Sequence, residues 1–162
     1  MRYRSPVSLR LLIAVVLPAV LLATPVRAQE REVPYWAALR AEQVNMRKGP
    51  SVNFPIDWVY RRPGLPVKVV RVMQGWRLVR DPDGTQGWIA GRLLTLERGA
   101  IVIGTGLAAL HEDPDSGSHL RWSVEPGVVG QLGNCRDDWC EFDVEGRTGW
   151  IAQNRIWGAG EP

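Results

Sequence analysis

The chain is short of the residues that build active sites. It has two histidines and two cysteines in 162 residues. His111 and His119 show no ligand spacing with Cys135 and Cys140, so the pattern of a four-ligand zinc site is missing and no metal or other cofactor is expected. His111 has Glu112 and Asp113 beside it, but adjacent positions on a loop do not make a catalytic triad. Asp113, Asp115 and Ser116 lack the glutamate that a calcium loop needs at its end. These gaps point away from an enzyme. No long stretch has helical periodicity, which leaves an all-β chain. No apolar run reaches the roughly 20 residues needed to span a bilayer.

The longest apolar run, Leu11 to Ala23, is 13 residues and is interrupted by Pro18. Arg2, Arg4 and Arg10 precede or open it, and Val26-Arg27-Ala28 follows as a small-x-small cleavage pattern. Residues 1–28 are therefore expected to be a signal peptide, with Gln29 as the new N-terminus and 29–34 as a polar lead. No cysteine lies near the cleavage site and no twin arginine precedes the run, so a general secretory route is expected. The expected location is periplasmic or secreted, with no stable membrane span after cleavage.

Removing that segment changes the charge argument. The full chain counts +3 with a pI near 9.2, but four basic residues and no acids lie in 1–28, which leaves −1 for the mature chain. The basic pI thus gives no reason to invoke nucleic acid. The remaining charge is split. Residues 29–98 hold 12 basic and 7 acidic side chains, and residues 99–162 hold 4 and 10. Opposite halves suggest attraction between two domains, or a basic face that meets an acidic partner, and read equally as two ordinary solvated surfaces. In an exported protein the two cysteines are expected to be bonded. Cys135 and Cys140 flank Arg136-Asp137-Asp138-Trp139, a segment that a hairpin can close, and so small a ring contributes roughly 2 kcal/mol.

The organisation comes from a repeat. Asp-Pro-Asp-Gly-Thr-Gln-Gly-Trp-Ile-Ala at 81 returns as Asp-Val-Glu-Gly-Arg-Thr-Gly-Trp-Ile-Ala at 143, identical at six of ten positions. A period of 62 residues is the size of a small β domain. Strands are expected at Val44–Arg47, Ile56–Tyr60, Leu65–Val72, Trp76–Arg80 and Gly87–Ala90, punctuated by Gly49-Pro50-Ser51, Pro63-Gly64, Gln74-Gly75 and Asp81-Pro82-Asp83-Gly84. In the second half Pro126-Gly127, Val128–Leu132, Trp139 and Gly149–Ala152 repeat the later part of that order. Ala109–His111 stands where Val44–Met46 stood, followed by a polar turn segment at 112–117. The domains are placed at 35–97 and 98–160.

At these residues the chain resembles the bacterial SH3 domain family, in the form found in exported proteins of Gram-negative bacteria. The resemblance rests on Val44-Asn45-Met46-Arg47-Lys48-Gly49-Pro50-Ser51, on the run from Trp58 to Val67, and on Gly75-Trp76 and Gly87-Trp88-Ile89. The second copy keeps Pro126-Gly127, Trp139 and Gly149-Trp150-Ile151 without the Asn-x-Arg-x-Gly-Pro-Ser signature. The resemblance implies a small SH3-like β-barrel for each copy and a binding or scaffolding role without catalysis.

Large aromatics fill a small β interior efficiently, so Trp88 and Trp150 are expected in or near the core, with Trp76 and Trp139 beside turns. Ala90 and Ala152 stand where a proline-rich-peptide groove would have its proline, which argues against that mode of recognition. The candidate ligand-binding residues are Trp58, Tyr60, Arg61, Arg62 and Trp76. Aromatic and guanidinium groups together stack on sugar faces or grip acidic groups, although Arg61 and Arg62 read more readily as solvated turn residues. The expected partner is a cell-wall peptide, peptidoglycan or an envelope protein. The alternative is an assembly scaffold, or a rigid structural module with the two barrels packed together. The residues carry no sign of an oligomeric state. The segments Asn45–Ser51 and Trp58–Arg62 read as belonging to the first copy alone.

Overall fold

The computed structural model describes residues 31–162, and the expected signal peptide lies outside the described residues. The first copy contains β1 (Tyr35–Leu39), β2 (Val44–Arg47), β3 (Ile56–Tyr60), β4 (Pro66–Met73), β5 (Trp76–Arg80), β6 (Gln86–Ala90) and β7 (Leu94–Thr95). The second contains β8 (Gly99–Val102), β9 (Ala108–His111), β10 (Leu120–Val124), β11 (Val129–Arg136), β12 (Trp139–Val144), β13 (Arg147–Ala152) and β14 (Ile156–Trp157). A 3-10 turn precedes the last strand of each, at Gly91–Leu93 and Gln153–Arg155. The sheet orders, β3-β2-β6-β5-β4-β1-β7 and β10-β9-β13-β12-β11-β8-β14, match strand for strand. The chain is all-β and built from two tandem SH3-like units.

Alternation along the strands sets the two faces. Val44 and Met46 are buried while Asn45 and Arg47 turn outward, as a half-covered strand requires. Leu39, Val44, Met46, Tyr60, Val67, Val69, Val79 and Ile89, drawn from β1 to β6, meet in one core. A single sheet can do this only by folding over itself. The expected closed barrel is corrected in one respect. β3 and β7 do not pair with each other, nor do β10 and β14. β7 is two residues long and ends on β1, so nothing bridges the gap to β3. β3 and β10 are therefore edge strands, and the ladder beside each is broken by a bulge, at Met46/Arg47 and at Leu120/Trp122.

Cys135 and Cys140 form a disulfide across the β11–β12 hairpin, with Cα atoms 4.0 Å apart. Asp137 and Asp138, both at positive φ (49° and 63°), make its two-residue turn. Short polar side chains that bond local backbone suit that conformation. Trp88 is buried, as expected. Trp150 is half-buried, with the Arg136 guanidinium 4.7 Å from its ring centroid.

The two copies are docked, and the contact is apolar rather than ionic. Ile101 of β8 is buried in the core of the first copy, with Val129 and Trp157 packed against the same cluster. Trp36 of β1 meets Trp157 edge-on, centroids 4.6 Å apart, and its Nε1 donates to the Gly160 carbonyl at 3.0 Å. Arg62 Nη1 donates to the Gly127 carbonyl at 2.8 Å, and Arg98 Nη2 to the Gly158 carbonyl at 2.7 Å. Gly99 lies so close to Gly64 that a Cβ would strike its carbonyl. The two ion pairs among the described residues, Lys48–Asp57 and Glu112–Arg121, each lie within one copy. The opposite charges of the halves therefore do not join them; Arg62 bonded to a backbone carbonyl, the Trp36 contacts and a shared apolar core do. Ile101→Ala should cost about 2–5 kcal/mol. Because the side chain is shared, denaturant titration should show the wild type unfolding in one transition and the variant with a lowered first-copy midpoint.

Candidate functional site

Strand β3 presents the first copy's unusual surface. Only Tyr60 of its five residues is buried. Ile56, Trp58 and Val59 are exposed, as are Val52 and Phe54 just before them, and Trp58 keeps 59% of its surface. Singly exposed apolar residues are ordinary, whereas several large ones in one short segment mark a contact surface.

The signature residues hold that segment still. Arg47 reaches back over the loop, its Nη1 donating to the carbonyls of Val52 at 2.9 Å and Phe54 at 2.7 Å. Gly49 lies beneath the Phe54 ring, where a Cβ would overlap the ring carbons. Lys48 pairs with Asp57 at 3.6 Å across the same turn. The Arg-x-Gly pattern thus shapes a loop whose apolar side chains stay in solvent.

Trp58, Tyr60, Arg61 and Arg62 line one cavity of about 390 Å³, together with Leu65, Asp81, Pro82, Asp83 and Ile101. Four of the five candidate residues are therefore neighbours. Trp76 is the exception: half-buried at the start of β5 opposite Ala90 and Met73, it does not line this cavity.

Two candidates have duties that the sequence did not show. Tyr60, a candidate for stacking on a ligand, is only 7% exposed. Its hydroxyl donates to the buried Asp81 carboxylate at 2.8 Å. The Asp81 carboxylate also accepts the backbone N–H of Thr85 at 2.8 Å and of Asp83 at 3.1 Å. Tyr60 and Trp58 alternate onto one side of β3, but the β5–β6 turn covers only the Tyr60 end. Tyr60 is a wall of the cavity, not a stacking platform. Arg62 is neither freely solvated nor wholly free for a ligand, since one of its nitrogens holds the second copy. Arg61 is exposed with no ion pair among the described residues.

The basic character of the first copy lies on its sheet face and is not repeated. The cross-strand pair Lys68–Arg80 becomes Gln131–Asp143 at the same register in the second copy. Arg47 becomes His111: each lies opposite the tryptophan of the repeated phrase, Trp88 or Trp150. His111 Nδ1 lies 3.0 Å from the Ser118 carbonyl, and its ring meets Trp139 edge-on at 5.4 Å. Among the described residues no group of three or more His, Cys, Asp or Glu is arranged to hold a metal ion, and no helix is long and apolar enough to cross a membrane.

Sequence comparison agrees with this architecture. The bacterial SH3 domain family matches residues 40–95 and again 105–158, more than half of the chain. The chain belongs to the bacterial SH3 domain family. Similar solved structures include NlpC2 from Trichomonas vaginalis, at 16% identity and TM-score 0.35 over 79% of this chain and 49% of that one. NlpC1 from the same organism matches at 15% and 0.35, over 80% and 47%. An NlpC/P60 family protein from Bacillus cereus matches at 13% and 0.34, over 76% and 56%. This bacterial SH3 chain spans about half the length of each. No curated protein matches it.

The Tyr60–Asp81 contact gives a pH test. Burial first, and then the hydrogen bond and charge of Asp81, raise the Tyr60 pKa well above its ordinary 10.0. The folded value exceeds the unfolded one, so the stabilisation is full below about pH 10 and is lost as pH rises towards the folded value. Tyr60→Phe should cost about 1–3 kcal/mol at neutral pH, because Asp81 loses one of three donors. Urea midpoints should then fall less steeply for the variant than for the wild type as pH is taken above 10.

Proposed function

We propose that this bacterial SH3 protein is an exported, non-catalytic binding protein of the cell envelope, periplasmic or secreted, whose ligand is cell-wall peptide or peptidoglycan. The observation that carries the reading is Trp58, an exposed indole bordering a cavity that Arg61 also lines. An indole offers a flat face to a sugar or an apolar peptide segment, and a guanidinium offers paired donors to a carboxylate. The loop before it is already held by Arg47, so little ordering is needed on binding. The signal-like leader and the disulfide support an oxidising compartment outside the cytoplasm.

A non-catalytic role is supported by how the reactive residue types are used. Both cysteines are in the disulfide, and His111 is engaged by Ser118 and Trp139. A second reading, an assembly scaffold or rigid module for an envelope protein, is favoured by the docking of the copies through Ile101 and Trp157. Cosedimentation separates them. The mature protein should pellet with purified sacculi at low salt and be released as salt is raised, since exposed guanidinium contacts are screened. Protein that stays in the supernatant at low salt overturns the wall ligand and leaves the scaffold.

A further inference from the structure

Trp58 has a structural twin that the repeated phrase does not reveal. Trp122 of β10 lies opposite Leu110 just as Trp58 of β3 lies opposite Met46. Both sit on edge strands with the same burial pattern, four exposed residues and then a buried one. Trp122 keeps 44% of its surface against 59% for Trp58. Each borders its own cavity, about 390 Å³ at Trp58 and about 430 Å³ at Trp122. Each also has an arginine in its neighbourhood, as a lining residue of the cavity at the first site and close to the ring at the second. At the first site this is Arg61. At the second, the Arg147 guanidinium carbon lies 5.8 Å from the Trp122 ring centroid. Arg121 lines that second cavity and is paired with Glu112 at 3.0 Å, whereas Arg147, outside the lining but near the ring, has no ion pair among the described residues.

Most of what surrounds these rings differs between the copies. Tyr60 is replaced by Val124 at the same register, Arg47 by His111, and the Lys68–Arg80 pair by Gln131–Asp143. A ring shared at a core position would need only packing to explain it. These two rings lie outside both cores. What the copies share on β3 and β10 is an exposed indole at one register, bordering a cavity with an arginine in the neighbourhood.

We infer that the chain is bivalent: Trp58 and Trp122 are equivalent ligand contacts, and the partner is a polymer that repeats one acidic unit, a glycan strand bearing carboxylate-containing peptides. The inference rests on the wall-binding reading above and adds the second site. Charge decides the chemistry of the unit: an exposed indole with an arginine nearby that has no ion pair among the described residues suits a flat, weakly polar face next to an anionic group. The docked copies hold the two sites at a fixed separation through the Trp36–Trp157 and Arg62–Gly127 contacts and the Ile101 side chain in the first core. Once one site is occupied, the other meets the same polymer at a high effective concentration, which strengthens binding by roughly 10²–10⁴-fold without any new contact.

The test compares the mature wild type with Trp58→Ala, Trp122→Ala and the double variant. Two ligands are used: intact sacculi, and the monomeric disaccharide-peptide released from them by muramidase. The wild type should bind sacculi at least roughly 100-fold more tightly than the monomer, and should take up two monomers per chain. Either single variant should fall to near the monomer affinity on sacculi and take up one monomer. The double variant should bind neither. Should Trp122→Ala fail to fold, Arg147→Ala carries the same expectation at the second site. If neither second-site variant differs from wild type on sacculi while Trp58→Ala loses binding, bivalency is overturned and the wall-binding reading stands. A wild type that takes up one monomer per chain overturns bivalency in the same way. A wild type that does not bind sacculi at all removes both.

Discussion

Two folded sheets of about sixty residues each have too little interior to be stable with much margin, because a small domain leaves a large share of its surface in water. The docking of the two copies answers that constraint, and the rest of the architecture depends on it. Ile101 stays in its own sheet while its side chain completes the first core, and Trp157 of the last strand covers β1 by meeting Trp36. The link between the copies is correspondingly short: β7 ends at Thr95 and β8 begins at Gly99. Only glycine permits the approach made there, since a side chain on Gly99 would enter the Gly64 carbonyl. A long flexible linker would allow independent lobes; this junction does not.

The same docking explains why charge is free for other uses. Ion pairs between the halves would have consumed the basic surface of the first copy. Arg62 and Arg98 instead satisfy backbone carbonyls at the junction, where a charged donor makes a strong hydrogen bond without a carboxylate partner. Burial lowers the Arg98 pKa from its ordinary value, the mark of a cation held away from water. Lys68 and Arg80 remain on the outer sheet face, and no equivalent pair opposes them in the second copy.

Strand positions were legible because alternation and turn residues are local signals. Val44–Arg47 and Ile56–Tyr60 are strands at the expected residues, and Gln74 makes its turn at a positive φ of 50°. What the repeat could not reveal was register. The phrase aligns Asp81 with Asp143, yet Asp81 opens a five-residue loop and is buried there, while Asp143 is still in a strand opposite Thr148. Deletion of one residue moved the second turn to Glu145-Gly146, so identical letters have different duties. Tyr60 was misplaced for a related reason: strand alternation gives its side of the strand but not which turn covers it. Trp122 was missed because the link before β9, residues 103–107, is one residue longer than its counterpart 40–43, which sets Trp122 at an offset of 64 from Trp58, away from the 62 of the repeated phrase. The tandem SH3-like architecture could be read from sequence, whereas the shared core and the second exposed ring needed coordinates.

The bulges beside β3 and β10 have a consequence for solubility. An edge strand with large apolar side chains is a template on which another chain can add a strand, and in a crowded compartment that leads to aggregation. Here the ladder is interrupted next to the exposed ring in both copies, between Met46 and Arg47 and between Leu120 and Trp122. A bulge twists the edge and breaks its even row of donors and acceptors. The indoles can therefore face solvent without the backbone behind them inviting a neighbouring strand. The irregularity that keeps each sheet from being a clean ladder is what lets it display an aromatic surface and stay dispersed.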